Sequence, residues 1–472
     1  MNRFYVTTPI YYANAKPHIG HAYTTIKADV LARWKRLQGQ KVFFSTGTDE
    51  HGLKIQKKAE EEGKNPQDFV DEISLQFKDF WKTLDISYDA FIRTTDNNHK
   101  KIVEKVLDEL YKRGAIYKGV HKGLYCLGCE QFLTESQLVD GKCPDHNQEP
   151  QIIEEENYLL KMSAIQEKLV EKIKSDELKI SPPVRKNEIL NFLSKKLDDI
   201  SVSRNAQKVS WGIKLPFDQN HTTYVWVDAF LNYLTVLGWD GNVKKIPDFF
   251  PPDVQILGKD ILRVHATIWP AILLHLKLPL PKEIYAHGHI LSNGKKMSKT
   301  LGNVIDPLYL IKEYGTDAVR YYLLREITAF DDGDITLEKF KEAYNANLAN
   351  GLGNLTARIM KMSESYLESK ERATHNEELS EEYKKLMDSF ELSKAMDLIW
   401  QKISELDSKI QETQPFKLIK TDEKKAKEIL VELVEGLRGV AERLKPFLPQ
   451  TSEKILTAIK ENKMPEPLFL RK

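Results

Sequence analysis

The sequence predicts an α/β protein in its first two thirds and an all-α one in its last third. Three observations carry this. Strand-like and helix-like segments alternate through the first fifty residues. The alternation then gives way to a stretch holding every cysteine, and afterwards resumes. Beyond about residue 336 strand signals vanish. With 472 residues, 41% apolar and 29% charged, and a mean hydropathy of −0.46, the chain is of ordinary core-forming composition and long enough for several domains. No apolar run approaches the roughly 18 residues a membrane-spanning helix needs. Lys and Arg number 70 against 69 Asp and Glu, a net charge of +1, so nucleic acid would be held by local patches rather than bulk charge. Three cysteines are too few, and odd in number, for a disulfide scaffold and fit a reducing, cytoplasmic compartment. The start, Met1-Asn2-Arg3-Phe4, runs directly into a strand, with no signal peptide expected before it.

Residues 4–8 are β-branched and aromatic and end at Pro9, which cannot continue a central ladder. From about Gly20, Ile26, Val30 and Trp34 recur at helical spacing, with Gly39 as the stop. Residues 41–45 read as a second buried strand, ending at Gly47-Thr48-Asp49-Glu50-His51-Gly52. Strand, crossover helix and strand imply a parallel sheet, and ligands bind at the carboxyl ends of such strands, where His18-Ile19-Gly20-His21 and Asp49 both fall. Residues 99–113 read as an amphipathic helix, 119–150 as a Gly-, Pro- and Cys-rich stretch, and the polar sequence to about 200 as helical. Strand character returns at 222–228, 254–257 and 283–286, so a sheet is interrupted by an insertion of about a hundred residues. Leu430, Leu433, Leu437, Val440 and Leu444 form a stripe too short for a coiled coil, which favours a helical bundle.

His18-Ile19-Gly20-His21 opens a helix directly after a strand. Unpaired N–H groups and the positive end of the dipole make such a place a phosphate site, and two imidazoles add donors. Gly294-Lys295-Lys296-Met297-Ser298-Lys299-Thr300 is a Gly-flanked loop whose lysines suit charge developing on a leaving pyrophosphate. Either motif alone is commonplace, and an isolated Lys-rich loop is usually just solvated. Cys126-Leu127-Gly128-Cys129 and Cys143-Pro144-Asp145-His146 form a C-x2-C-x13-C-x2-H set, a spacing suited to one tetrahedral, structural Zn²⁺ held by Cys126, Cys129, Cys143 and His146.

Together, the first two motifs resemble the signature pair of the class I aminoacyl-tRNA synthetases, with Thr300 where that family usually has Ser. Pro9-Ile10-Tyr11-Tyr12, the Gly47–Gly52 run, Tyr224-Val225-Trp226-Val227-Asp228-Ala229 and Gly258-Lys259-Asp260-Ile261 through His265 look like the methionyl branch. The resemblance spans essentially the whole chain. It implies a Rossmann-like catalytic domain split by the zinc insertion, then an all-α anticodon-binding bundle. The boundaries follow as 1–114 and 223–325 for the catalytic halves, 115–222 for the insertion, 326–345 for a stem-contact connector and 346–472 for the bundle. It also implies that Ile10, Tyr12, Trp226, Ala229, Tyr233, Ile261 and His265 form a methionine pocket, Tyr233 or His265 being the donor to sulfur, and that Asp49 receives the α-ammonium. His18, Gly20 and His21, with Lys296, Ser298 and Lys299, would hold ATP with Mg²⁺. His18, His21, Lys296 and Lys299 would stabilise the phosphates during catalysis. Asn347 and Arg358 occupy positions that read anticodon bases, and Phe416 stands where the family has a stacking Trp. Phe230 replaces a usual proline, and closure of the knuckle by His146 is a variant.

The expected reaction is activation of L-methionine by ATP and transfer to the 3′-terminal adenosine of methionine tRNA, initiator and elongator, by a monomer. The appended dimerisation domain of some relatives is not expected after Lys472. Enzymes for valine, isoleucine and leucine carry a far longer insertion, and the cysteinyl enzyme a zinc-ligating Cys beside the first motif, which this chain lacks. A plain nucleotidyltransferase has no use for the knuckle and bundle. A silent tRNA-binding relative has no use for intact His18, His21, Lys296 and Lys299.

Overall fold

The β-branched and aromatic runs become one parallel sheet. Its strands are β1 (Arg3–Thr7), β2 (Tyr11–Tyr12), β3 (Lys41–Asp49), β4 (Ala90–Arg93), β5 (Lys179–Ser181), β6 (Val254–Gly258) and β7 (Glu283–His287). Every pairing among them is parallel. β1 and β2 lie along one edge of β3 and β4 along the other, and the order runs on from β1 through β6 and β7 to β5. Tyr5, Val6, Phe44, Ile256 and Ile284 are all buried, as strands covered on both faces require. From β1 the chain goes on to β3 and β4, and from β6 to β7 on the other side. The order therefore reverses between β1 and β6, the crevice where open parallel sheets bind ligands. Gly47 is required where β3 meets β4: a Cβ there would lie 2.1 Å from the Ile92 carbonyl oxygen.

The computed structural model describes residues 2–128, 131–133, 135, 138–144, 147–297, 303–368 and 379–472. It has two compact units: residues 1–17, 39–82 and 87–287 form the first, which holds the sheet, and 18–38, 83–86 and 288–472 form the second. Helix α1 (Ile19–Leu37), between β2 and β3 in the chain, is assigned to the second unit; α2 (Asn97–Lys112), α3 (Val225–Phe230) and α4 (Leu262–Leu276) belong to the first.

Two stretches differ from their predicted conformation. Polar residues read as helix form the strand Gln151–Leu160, antiparallel to Ile116–Cys126 from Ile116 opposite Leu160 to Tyr125 opposite Gln151. The ribbon's polar character is cross-strand ion pairing, with Lys118 Nζ 2.7 Å from Glu156 and Lys122 Nζ 2.8 Å from Glu154. At 222–228 the strand stops at Thr223 and α3 follows. All six α3 side chains are buried, so the apolar pattern there has no period to separate strand from helix. The region 115–222 also supplies β5 to the sheet edge.

In the second unit, Ile290–Ser292 and Lys295–Lys296 form a hairpin around Asn293 and Gly294, both left-handed at φ 54 and 68, the geometry of a tight two-residue turn. The bundle contains α5 (Thr316–Tyr321), α6 (Asn354–Tyr366), α7 (Leu392–Thr413), α8 (Pro415–Leu418), α9 (Glu423–Leu444) and α10 (Pro449–Glu461). α9 buries the leucine stripe read from the sequence. Gly436 lets it approach α7, since a Cβ would meet Leu406 Cδ2 at 2.5 Å.

Arg320 of α5 is wholly buried. Its Nη2 is 2.7 Å from Asp29 Oδ2 of α1, and its other donors reach the carbonyls of Phe447 (2.7 Å), Pro446 (3.1 Å) and Leu84 (3.3 Å). Arg33 Nε also reaches Asp29, at 2.8 Å. With its donors satisfied, the guanidinium is tolerated inside; without Asp29 it is a buried unpaired charge. Asp29→Ala is expected to destabilise the protein by about 3–5 kcal/mol. Asp397→Ala, which removes a 63% exposed partner of Arg325, is expected to cost less than about 1 kcal/mol. Urea midpoints check the order, and equal midpoints for the two variants would contradict it.

Candidate active site

At the crevice between β1 and β6, the first unit gathers the residues expected to hold an amino acid. Tyr12 stands beside Asp49 in register on neighbouring strands, and Asp49 is buried. The Tyr12 ring meets Trp226 edge-on at 6.1 Å, and Trp226 in turn meets His265 at 6.2 Å. Phe230 packs edge-on against His265 at 4.9 Å and stacks on Trp269 at 5.9 Å, so it closes the wall that α3 and α4 share. Ala229 is buried on the same turn of α3. Ile10 lies against β3, where a Cβ on Gly47 would reach its Cγ2 at 3.0 Å. Ile261, just before α4, offers its carbonyl to His265 Nδ1 at 2.9 Å. Tyr233 is fixed from below: Tyr5 donates its hydroxyl to the Tyr233 carbonyl at 3.0 Å and lies 3.1 Å from Ser45 Oγ.

The hydrogen bonds set the protonation of this wall. Burial pulls the His265 imidazole down to about 4, against smaller opposing effects of the Ile261 carbonyl and Asp260, so the ring is neutral near pH 7. Its one proton sits on Nδ1, donated to Ile261. Nε2 is then an acceptor, and Tyr233, 2.9 Å away, donates to it. Burial keeps the Tyr233 hydroxyl protonated by raising its pKa well above the usual value.

The segment after Asp49 is firmly held. Glu50 is buried and receives Arg93 Nε (2.7 Å) and Nη2 (2.9 Å), Thr48 Oγ1 (2.6 Å) and Thr95 Oγ1 (2.5 Å). Trp211 Nε1 donates to the Glu50 carbonyl at 2.5 Å, and Trp211 O accepts from Gly52 N at 3.0 Å. His51 reaches Asp228 of α3. His51 and Asp228 fall within the motifs but carry no expected role from sequence, and nothing in the sequence singles out Trp211. Pairing across so many positions leaves no local signal.

In the second unit, His18 and His21 cap α1 reciprocally. His18 Nδ1 accepts from Gly20 N at 3.1 Å, and His21 Nδ1 accepts from His18 N at 3.2 Å, with the rings stacked at 3.7 Å. An accepting Nδ1 places each ring proton on Nε2, so both histidines are donors there while neutral. Burial, aided by His18, holds His21 well below the ordinary imidazole range. Gly20 lets the turn close: a Cβ would lie 3.0 Å from the His18 ring.

The lysine hairpin is anchored at its base, with Gly294 N on Asp334 Oδ1 at 3.0 Å and Asn303 Nδ2 on Ser292 O at 3.3 Å. Lys296 pairs with Leu291 through its backbone; its side chain, and Ser298, Lys299 and Thr300, lie outside the described residues. Of the expected zinc ligands, Cys126 and Cys143 are buried in a small cluster with Leu133 and Leu138 and are not disulfide-bonded, while Cys129 and His146 lie outside the described residues. Among the described residues no group of three or more His, Cys, Asp or Glu side chains could hold a metal.

In the bundle, Asn347 lies half-buried in the π-helical stretch Tyr344–Gly353. Arg358 of α6 is partly exposed and pairs with Asp407 of α7, which also accepts from Gln411 at 2.6 Å. Phe416 of α8 is 42% exposed, with Lys417 Nζ 5.9 Å from its ring. Among the described residues no helix is long and apolar enough to cross a membrane.

The profile of the class I tRNA synthetases (M) matches residues 4–151 and 146–360. The methionine–tRNA ligase of Clostridium acetobutylicum is 46% identical over 477 residues, covering 97% of this chain and 73% of that protein. That of Thermotoga maritima is 40% identical over 480 residues, covering 98% and 76%. The structure of Mycobacterium tuberculosis methionyl-tRNA synthetase in complex with methionyl-adenylate superposes with a TM-score of 0.90 at 35% identity, over 97% of this chain and 93% of that one. The sheet, the capped histidine turn and these relatives agree: the chain belongs to the class I tRNA synthetases, in their methionine–tRNA ligase branch.

Proposed function

We propose that this chain is a methionine–tRNA ligase: it joins L-methionine to ATP as methionyl-adenylate, releases pyrophosphate, and passes the methionyl group to the 3′-terminal adenosine of methionine tRNA. The observation that carries the reading is the meeting, at the carboxyl edge of a parallel sheet, of one buried carboxylate, Asp49, with a wall made by Tyr12, Trp226, Phe230, Tyr233 and His265. Asp49 suits an α-ammonium. The wall suits a flexible, polarizable thioether, which packs on aromatic rings and accepts one weak hydrogen bond. A thioether cannot donate, and the single proton of His265 is engaged by Ile261. Tyr233 is therefore the donor to sulfur, turning its hydroxyl away from His265 Nε2.

His18 and His21 serve the α-phosphate as Nε2–H donors, since each Nδ1 accepts from the helix cap, and their task is hydrogen bonding to charge that grows in the transition state. Lys296, at the end of the hairpin, and Lys299, three residues on in the sequence, supply positive charge for the β- and γ-phosphates of Mg²⁺-bound ATP. No covalent enzyme intermediate is required; positioning and charge stabilisation suffice. In the bundle, Asn347 and Arg358 offer hydrogen bonds to anticodon bases and Phe416 a stacking face. Arg358 exchanges its bond with Asp407 for a base when tRNA binds. The buried thiols of Cys126 and Cys143 are soft donors suited to zinc, and with Cys129 and His146, at C-x2-C and C-x2-H spacing in the sequence, they would hold one structural zinc.

Asp49→Ala is expected to reduce methionine activation by about 2–5 kcal/mol in kcat/KM, read by methionine-dependent ATP–pyrophosphate exchange; an unchanged rate would remove Asp49 from the pocket. Arg358→Ala is expected to lower aminoacylation of methionine tRNA by about 1–3 kcal/mol while leaving exchange without tRNA nearly unchanged. Loss of exchange in that variant would place Arg358 in the catalytic machinery. Metal analysis of protein purified without chelator is expected to find about one zinc per chain, and Cys143→Ser to lose it together with stability. Protein that holds no zinc would contradict the knuckle.

A further inference from the structure

Asp228 on α3 is buried, with a histidine on each carboxylate oxygen. His51 Nδ1 lies 2.7 Å from Oδ2 and His99 Nε2 2.8 Å from Oδ1, while the other nitrogen of His99 is 2.7 Å from Thr235 Oγ1. Burial pushes the Asp228 carboxyl up, but the neighbouring His51 and the hydrogen bonds from His51 and His99 outweigh it and hold the group down at about 2. It is therefore a carboxylate, an acceptor only, and both facing nitrogens donate to it. Enclosed by protein donors, it has no part to play in contact with a substrate.

Its two partners come from different elements. His51 is two residues beyond Asp49, in the segment that Arg93, Thr95 and Trp211 hold through Glu50. His99 lies on α2, and Thr235 belongs to the turn that carries Tyr233. Asp228 itself stands between Trp226 and Ala229 on one turn of α3. A single buried carboxylate thus joins the strand end bearing Asp49 to the turn bearing the aromatic wall. We propose that Asp228 is a positioning residue that sets the spacing between Asp49 and the Trp226–Ala229 wall, and with it the length of amino acid side chain the pocket accepts. This rests on the reading of that pocket as the methionine site. An amino acid held by its ammonium at one end and its side chain at the other is measured by the distance between the two walls. A joint that slackens admits longer side chains and holds the correct one less well.

The test is ATP–pyrophosphate exchange by the full chain at saturating ATP, with methionine and with ethionine, one methylene longer. For Asp228→Asn, whose amide nitrogen faces a histidine donor, the expected result is a rise of about tenfold in KM for methionine, kcat within about threefold, and a reduced kcat/KM preference for methionine over ethionine. His99→Gln, whose amide still donates to Asp228, is expected to restore most of that preference relative to His99→Phe. Should Asp228→Asn not fold, His99→Phe, which removes one donor only, carries the same expected shift. Unchanged KM and preference in these variants would overturn the proposal, as would a fall in kcat alone. The unaltered chain separates the two readings. Exchange dependent on another amino acid would refute the methionine assignment while leaving the spacing role to be measured with that amino acid, and exchange with none would overturn both.

Discussion

Parallel pairing is the constraint on which the site in the first unit depends. When every strand of a sheet runs the same way, every carboxyl end lies on one edge, and the order reversal between β1 and β6 opens a crevice at that edge. Tyr12, Asp49, Ile261 and His265 are far apart in the chain and are brought to that edge because Tyr12 and Asp49 end β2 and β3 and Ile261 and His265 follow β6. Three buried polar groups of the site have short, specific partners: Glu50 has Arg93 and two threonines, Asp228 two histidines, and Tyr233 has His265. Each would cost more unpaired than any single apolar contact returns, so the networks define one arrangement rather than several.

The second unit solves a different electrostatic problem. In its histidine turn the Nδ1 atoms of His18 and His21 both accept from the backbone of the helix cap, which leaves Nε2 of each ring to donate. Farther along the same helix, Asp29 anchors the buried guanidinium of Arg320, which binds α1 to the bundle through α5 and the carbonyls before α10. The helix that presents the histidines is thereby held by a charge pair tolerated inside only because its partners are complete.

Much of this was legible in the sequence, for physical reasons that differ by element. The strands at 3–7, 254–258 and 283–287, and the first five residues of 41–49, were readable because strands buried on both faces appear as short, mostly apolar runs. The α9 stripe was readable because one buried face repeats at helical spacing. The Gln151–Leu160 strand was not, because its exposed half is rich in Glu that pairs with Lys across the strands and its composition mimics a solvated helix. α3 was misread because a turn buried on every side has no amphipathic period. Tyr12, Trp226, Tyr233 and His265 were named through motif resemblance, whereas the contacts of Trp211 and the pairing of Asp228 with His51 and His99 are visible only in the fold. Their partners lie too far along the chain for spacing to reveal.

The central claim is that the pocket selects methionine for adenylate formation. Its most direct test is ATP–pyrophosphate exchange measured with each of the twenty amino acids in the absence of tRNA. Exchange dependent on methionine, well above every other amino acid, is the expected result; exchange driven equally by leucine or isoleucine, or by no amino acid, would contradict it.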